Sequence, residues 1–269
     1  MSASQGLLGK RVLVVGAGNM GGAILLRLKS QRLASLSFYE IDGAKARAFA
    51  GKSGLKSEPS LENGIRDSDI VVLAVKPQSW PELSEKACGL LRKGQLIITI
   101  MAGVRIASIA RRTRSGVDIV RAMPNTPALV GEGFTAVAGD NPCCVALARA
   151  VFSCVGGVMV VKEKALDAVT ALSGAGPAYV FAFIEHFTAA ARAQGFPAGE
   201  AEAMVVQTLT GALKLLKETR GSPGDLRKKV TSPGGVTEAA LKVMDRLGFN
   251  RLLSAGVRAG VRRAAELGK

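Results

Sequence analysis

The run 12–24, VLVVGAGNMGGAI, decides how the N-terminal half folds. A strand-like aliphatic segment ends at Gly16, and the spacing Gly16-x-Gly18-x-x-Gly21 opens a helix directly after it. Each glycine has a mechanical reason to be there. Gly16 makes the tight turn, Gly18 lets a pyrophosphate approach the backbone, and Gly21 allows helix and strand to come close. Ala17, Asn19 and Met20 complete the loop, and the helix N-terminus faces the phosphates. The setting, strand then turn then helix, separates this fingerprint from an ordinary glycine-rich turn and points to dinucleotide binding. Glu40, at the end of the next strand-like run, lies 19 residues past Gly21. That is near the spacing of about 20 at which an acid accepts the ribose 2′-hydroxyl, and its carboxylate would repel a 2′-phosphate, favouring NADH over NADPH.

Outward from this loop, strand-like and helix-like segments alternate as far as residue 162. RVLVVG, SLSFYE, DIVVLAVKP and QLIITIMAG read as strands, with helices from about Met20 to Gln31 and over GAKARAFAGKSG and PELSEKACGLLRKG; DIVRAMP, FTAVAG and VMVV follow as shorter strands. Continuous aliphatic runs of this kind belong to parallel strands covered on both faces. The alternation predicts an α/β fold with a doubly wound parallel sheet of Rossmann type over 1–162. From Glu163 onward helical periodicity replaces it, so 163–269 is expected to be an all-α domain. Gly195, Gly221 and Gly248 stand as helix C-caps there. Ala, Leu and Val occupy more than one face of these helices, which predicts packing against a second copy of the chain.

Composition narrows the function. The chain has 269 residues, 48% hydrophobic and only 4% aromatic, so its core is aliphatic. The opening 16 residues show no apolar stretch of the secretory type, and runs such as VFSCVGGVMVV reach only about half the roughly 20 residues of a membrane span. A cytoplasmic protein with no membrane partner is the expectation. Four cysteines without a CxxC pair and a single histidine make a metal site improbable and suit reduced, buried thiols. The formal charge of +15 raises a nucleic-acid reading. The basic clusters ARRTR, LRKK and VRR are scattered, however, and aromatic stacking platforms are scarce. A general attraction for small anions is the more economical account.

Four further stretches carry chemistry. LAVKP, 73–77, ends a strand at the sheet edge where open α/β sheets bind ligands, and Lys76 there can meet a phosphate or carboxylate. RAMPNTPALVGEG, 121–133, holds a rigid loop between two prolines. ALSGAGPAYVFAFIE, 171–185, leads from Ser173 and glycines into Pro177 at a helix start. TSPGGVT, 231–237, breaks regular structure and offers hydroxyls and bare backbone before another helix.

In this order, and over nearly the whole chain from Val12 to about Leu267, these segments resemble pyrroline-5-carboxylate reductase. SGAGPAY and SPGGVT are the specific stretches. The resemblance implies an N-terminal Rossmann domain and a helical domain that interlocks into a homodimer, with assembly to a homodecamer also seen in the family. It implies NAD(P)H-dependent reduction of 1-pyrroline-5-carboxylate to L-proline, the last step of proline biosynthesis. Gly16–Gly21 would hold the pyrophosphate; Ala74, Val75 and Lys76, with Ala102, would line the ribose and nicotinamide side. Glu163 and Ser173 would border the substrate. Ser232, Gly234, Gly235, Val236 and Thr237 would hold its carboxylate and ring nitrogen, with consecutive Gly234 and Gly235 N–H groups as the carboxylate cradle and the Thr237 hydroxyl on the nitrogen. Val236 departs from the Thr or Ala usual in that loop, Leu61 stands where relatives place an Asn near the adenosine, and His186 replaces a small residue. Other readings of the residues are a nucleic-acid binder, a non-catalytic nucleotide sensor, which would need neither Ser173 nor Thr237, and a related dehydrogenase with a catalytic lysine. Lys162 and Lys164 lack the glycine-rich setting such a lysine requires.

Overall fold

The aliphatic runs of the N-terminal half assemble into one eight-stranded sheet of order β3-β2-β1-β4-β5-β6-β7-β8, in a computed structural model that describes residues 6–114 and 116–267. Met1–Gln5, the start of the stretch read for a leader, lie outside the described residues. The strands are β1 (Arg11–Val15), β2 (Ser35–Tyr39), β3 (Lys56–Ser57), β4 (Ile70–Leu73), β5 (Leu96–Thr99), β6 (Asp118–Met123), β7 (Gly133–Ala138) and β8 (Gly156–Val160). Side chains alternate across a strand, and β1 shows the consequence. Val12 and Val14 join a core with Ile24, Leu28 and Phe38 on one face, while Leu13 and Val15 join Ile65, Trp80 and Ile97 on the other. Helices therefore cover both faces, which is why the central strands carry no polar alternation.

One joint differs from a wholly parallel sheet. β6 and β7 pair antiparallel, Arg121 opposite Ala138 and Met123 opposite Ala136, whereas every other neighbouring pair is parallel. The connection 124–132 is shorter than the dozen or more residues that a parallel crossover needs, so the chain turns straight back. β7 then reaches β8 in parallel through the helix Pro142–Ser153, which the strand-by-strand reading passed over. That helix starts on Asn141, whose side chain accepts from Cys143 N–H, with a proline in its first turn.

By contacts the chain divides into one unit of Met1–Ala175 with Gly260–Lys269 and a second of Gly176–Ala259. In the second, the helices Gly176–Ala193 and Ala198–Thr219 pack side by side. They are followed by the helices Pro223–Lys229 and Val236–Arg246 and the start of Phe249–Leu267. Gly195 and Gly248 adopt the left-handed φ of a C-cap, at +94° and +82°. Gly221 does not, because Arg220 takes that conformation itself at φ +51° and caps the preceding helix. The helical run Glu163–Ala193 is longer and more apolar than the stretches singled out from sequence; by length and composition alone it is able to cross a membrane.

The second unit buries little within one chain. Its buried apolar residues are the small Ala191, Ala201 and Val205, while Phe181, Leu252 and Leu247 are 66%, 69% and 79% exposed. Large apolar side chains in that number point to a protein partner rather than to water. The expected mass in solution at micromolar concentration is a multiple of the 27.9 kDa protomer. A fully active species of 27.9 kDa by light scattering would overturn this.

Candidate functional site

The three loop glycines have different duties in the folded chain. Gly16 sits at φ +98°, and a Cβ there would lie 2.7 Å from the Ala74 carbonyl oxygen. Its N–H donates to Tyr39 O at 2.8 Å. A Cβ on Gly21 would lie 1.9 Å from the Gly16 carbonyl oxygen, so no other residue fits. Around Gly18, by contrast, a Cβ would meet nothing within 4 Å. Packing thus requires two of the glycines, and the third leaves the backbone open to a ligand. The helix Asn19–Leu28 that begins here has no side-chain cap and no acid in its first turn, an arrangement that favours an anion.

Around this loop the parallel register gathers the other nucleotide-side candidates. Val15 pairs with Leu73, and Leu73 with Thr99, so Ala74, Val75 and Lys76 leave the sheet beside Gly16, with Ala102 one strand further along. They line the carboxyl edge at the point where the strand order reverses, between β1 and β4. Ala74, Val75 and Ala102 are half-buried and Lys76 is exposed. Glu40 is tied down more firmly than its spacing suggested. Its Oε2 accepts from Ala17 N–H at 3.0 Å and its Oε1 from Asp42 N–H at 3.2 Å. The N–H of Ala17 is therefore engaged by Glu40.

Glu163 and Ser173 belong to the same unit as the sheet. Glu163 Oε1 accepts from Arg121 Nη1 at 3.0 Å and from the backbone N–H of Ile106 at 2.8 Å. Arg121 is a buried cation on β6 that the sequence reading did not pick out; only its basic type, in a strand otherwise apolar at the centre, marked it. Ser173 lies in a π-helical turn, Thr170–Gly174, a form of backbone often found at functional sites. Its Oγ accepts from Asn125 Nδ2 at 3.1 Å, and Asn125 Oδ1 accepts from Phe134 N–H at 2.8 Å. Asn125, in the loop between two prolines, is a second residue whose part was not foreseen.

The loop Thr231–Thr237 belongs to the helical unit. Gly234 adopts φ +72°, and its N–H donates to Glu238 Oε2 at 3.0 Å. Gly235 N–H donates to Ser232 O at 3.0 Å. Both N–H groups expected to cradle a carboxylate are thus engaged, one by Glu238 of the following helix and one by Ser232 of the loop. Val236 and Thr237 open a helix without a side-chain cap, a position at which first-turn N–H groups favour an anion. Ser232 is exposed, Thr237 half-buried, and Val236 is 89% exposed. His186 is exposed on the apolar helix Gly176–Ala193.

Among the described residues no group of three His, Cys, Asp or Glu is placed to hold a metal. The four cysteines are free thiols. Burial pushes Cys88 and Cys154 up, and burial with the neighbouring Asp118 pushes Cys144 up to about 12, so these thiols are poor nucleophiles.

Residues 163–267 match the family model described as pyrroline-5-carboxylate reductase dimerisation, and 11–103 that described as NADP oxidoreductase coenzyme F420-dependent. The chain is 37% identical over 262 residues to the pyrroline-5-carboxylate reductase of Synechocystis sp., covering 95% of this chain and 97% of that one. It is 35% identical to the reductase of Pseudomonas aeruginosa, covering 96% of each. Its fold is similar to the solved reductase of Coxiella burnetii, with a TM-score of 0.90, 33% identity and coverage of 97% and 99%. It is also similar to that of Plasmodium falciparum, solved with NADP bound, with a TM-score of 0.85, 28% identity and coverage of 97% and 98%.

The pairing of Glu163 with Arg121 is open to a stability test. Glu163→Gln leaves a cation whose side chain is 7% exposed without its counter-charge. Losing one partner of a fully buried pair costs about 3–5 kcal/mol. Glu163 itself is 34% exposed, so water screens part of the effect and the expected loss is about 1–2 kcal/mol. It is read as a lower denaturant midpoint, largely recovered by adding Arg121→Met. An unchanged midpoint in Glu163→Gln would show that the pair does not contribute.

Proposed function

The chain belongs to the pyrroline-5-carboxylate reductase family, and we propose that the carboxyl edge of its sheet holds the nucleotide and that the Thr231–Thr237 loop takes part in holding the substrate. The protein is an NAD(P)H-dependent oxidoreductase of proline biosynthesis, reducing 1-pyrroline-5-carboxylate to L-proline, and it forms a homo-oligomer. The observation that carries the assignment of sides is the open backbone at Gly18, beside an uncapped helix start, at the switch point of the sheet.

Gly16–Gly21 would hold the pyrophosphate, through the N–H groups of Gly18, Asn19 and Met20, with Ala17 shaping the loop. Ala74, Val75 and Lys76, with Ala102, would border the ribose and nicotinamide. When bound there, the nicotinamide supplies hydride to the C=N carbon of the cyclic imine. The remaining work of the chain is positioning and charge satisfaction. The N–H groups of Val236 and Thr237 orient the substrate carboxylate, assisted by Ser232, and Gly234 and Gly235 give the loop its shape. The Thr237 hydroxyl hydrogen-bonds the ring nitrogen, which gains a proton as it becomes an amine. Glu163 and Ser173 border the substrate from the sheet side.

Glu40 supports NADH over NADPH, because two backbone N–H groups fix its carboxylate at the loop, where a 2′-phosphate would be repelled. Functionally we divide the chain into a dinucleotide domain, 1–162, and a helical substrate and dimerisation domain, 163–269. Dimers assembling to a decamer, a cytoplasmic location, and no nucleic-acid or membrane partner complete the reading. The scattered positive charge serves to attract an anionic substrate and cofactor.

Thr237→Val keeps the side-chain shape and removes the hydroxyl. A hydrogen bond of this kind, lost from a desolvated site, is worth about 1–3 kcal/mol, so kcat/KM for the imine is expected to fall roughly ten- to a hundred-fold. NADH affinity should hardly change, and Thr237→Ser should retain much more activity. A Val variant as fast as the parent in a nicotinamide-oxidation assay would remove Thr237 from the mechanism. For the cofactor, Glu40→Arg is expected to move the preference toward NADPH. A parent enzyme already showing a much higher kcat/KM with NADPH than with NADH would overturn the role given to Glu40.

A further inference from the structure

Asn125 stands where the antiparallel pairing of β6 and β7 runs out. Extending the register of Arg121 with Ala138 and Met123 with Ala136 places Pro124 opposite Thr135 and Asn125 opposite Phe134. Proline has no N–H, so the backbone ladder cannot continue through it. The Asn125 side chain takes over, with Oδ1 accepting from Phe134 N–H. A backbone N–H only donates, which fixes the oxygen end of the amide on that side. The Nδ2 end must then face away from Phe134, and it donates to Ser173 Oγ.

A serine hydroxyl has one hydrogen and two lone pairs. Because Oγ accepts from Asn125, its own hydrogen is left for a different partner, and among the described residues no acceptor takes it. The turn around Ser173 is held close to this point. A Cβ on Gly174 would lie 2.6 Å from Met123 Cε, two residues before Asn125. Strand register, proline and amide polarity together thus set the direction in which one hydroxyl bonds.

We propose that Asn125 is a positioning residue that keeps the Ser173 hydroxyl as a donor toward a carboxylate or carbonyl oxygen of a bound reactant. This rests on the reading that Ser173 borders the reaction site. Two oxygens have the right chemistry, one on the substrate carboxylate and one on the nicotinamide carboxamide. They are distinguished by which KM responds, that for pyrroline-5-carboxylate or that for NADH.

The informative variant is Asn125→Asp. It keeps the shape and the acceptor for Phe134 N–H but turns the Nδ2 donor into a second acceptor. The Ser173 hydrogen then rotates to the new carboxylate and is withdrawn from the reactant. The expected result is a rise of about tenfold in one of the two KM values, with kcat changed much less and an unaltered Tm at equal protomer concentration. Protonating the new carboxyl at low pH restores a donor facing Ser173, since Phe134 N–H keeps the proton off the other oxygen. The ratio of variant to parent KM should therefore narrow as pH falls toward about 4, while the same ratio for Ser173→Ala should stay flat. The double variant should be no worse than Ser173→Ala alone. If Ser173→Ala leaves both KM values unchanged, the reading of Ser173 as a site residue fails and the proposal goes with it. If Ser173→Ala raises a KM but the Asn125→Asp loss multiplies with it, or shows no pH dependence, only the role of Asn125 is overturned. Should Asn125→Asp not fold, Asn125→Ala combined with Ser173→Ala reads the same coupling, and losses that multiply would again overturn it.

Discussion

The contact between Gly21 and the Gly16 carbonyl sets the geometry on which the nucleotide edge depends. With 1.9 Å between that oxygen and the place a Cβ would take, only glycine lets the helix Asn19–Leu28 start this close to β1. The same closeness brings Ala74 of the neighbouring strand under the turn, where it limits Gly16 as well. Once helix, turn and β4 are locked together, the unfilled space at Gly18 becomes a fixed feature of the surface. A pyrophosphate site then needs no dedicated side chain, because the backbone and the helix N-terminus supply the donors.

A second pattern joins three glutamates near the candidate site stretches. Glu40, Glu163 and Glu238 each accept from a backbone N–H, of Ala17, Ile106 and Gly234 respectively. In a chain with a formal charge of +15 each of these carboxylates has a backbone donor within the chain. Each satisfies a backbone donor that a loop would otherwise leave open, and so fixes the loop around it. Glu40 is held by two such N–H groups, those of Ala17 and Asp42. Glu238 engages Gly234 N–H, and with Gly235 N–H held by Ser232 O the next N–H groups along the chain are those of Val236 and Thr237.

The features legible in the sequence were those carried by periodicity or by unusual residue types in a fixed order. Continuous aliphatic runs gave the central strands, the glycine spacing gave the loop, and SGAGPAY and SPGGVT carried the family resemblance. The features missed depend on distant contacts or on elements too short to show a period. β3 has two residues and the helix Ile106–Ala110 five, so neither carries a pattern. The antiparallel return of β7 followed from loop length, which local propensity does not report. Arg121 and Asn125 act through partners 42 and 48 residues away. Arg220 took the cap expected of Gly221 because a single left-handed residue suffices to end the helix, and which of two neighbours adopts it is settled by tertiary context.

The helical unit poses a different constraint. Its buried apolar side chains within one chain, Ala191, Ala201 and Val205, are small, and the area they remove from water is too little to offset the entropy of ordering several helices. Its long apolar residues lie on the outside of the protomer, within the segment that matches the family's dimerisation model. Association with a second chain supplies the burial that those residues lack within one chain. The apolar run Glu163–Ala193 also falls within the segment that matches the dimerisation model. The Thr231–Thr237 loop is part of this unit, and its Gly234 and Gly235 N–H groups find their partners in Glu238 and Ser232, while the glycine loop on the sheet is supported by Ala74 and Glu40.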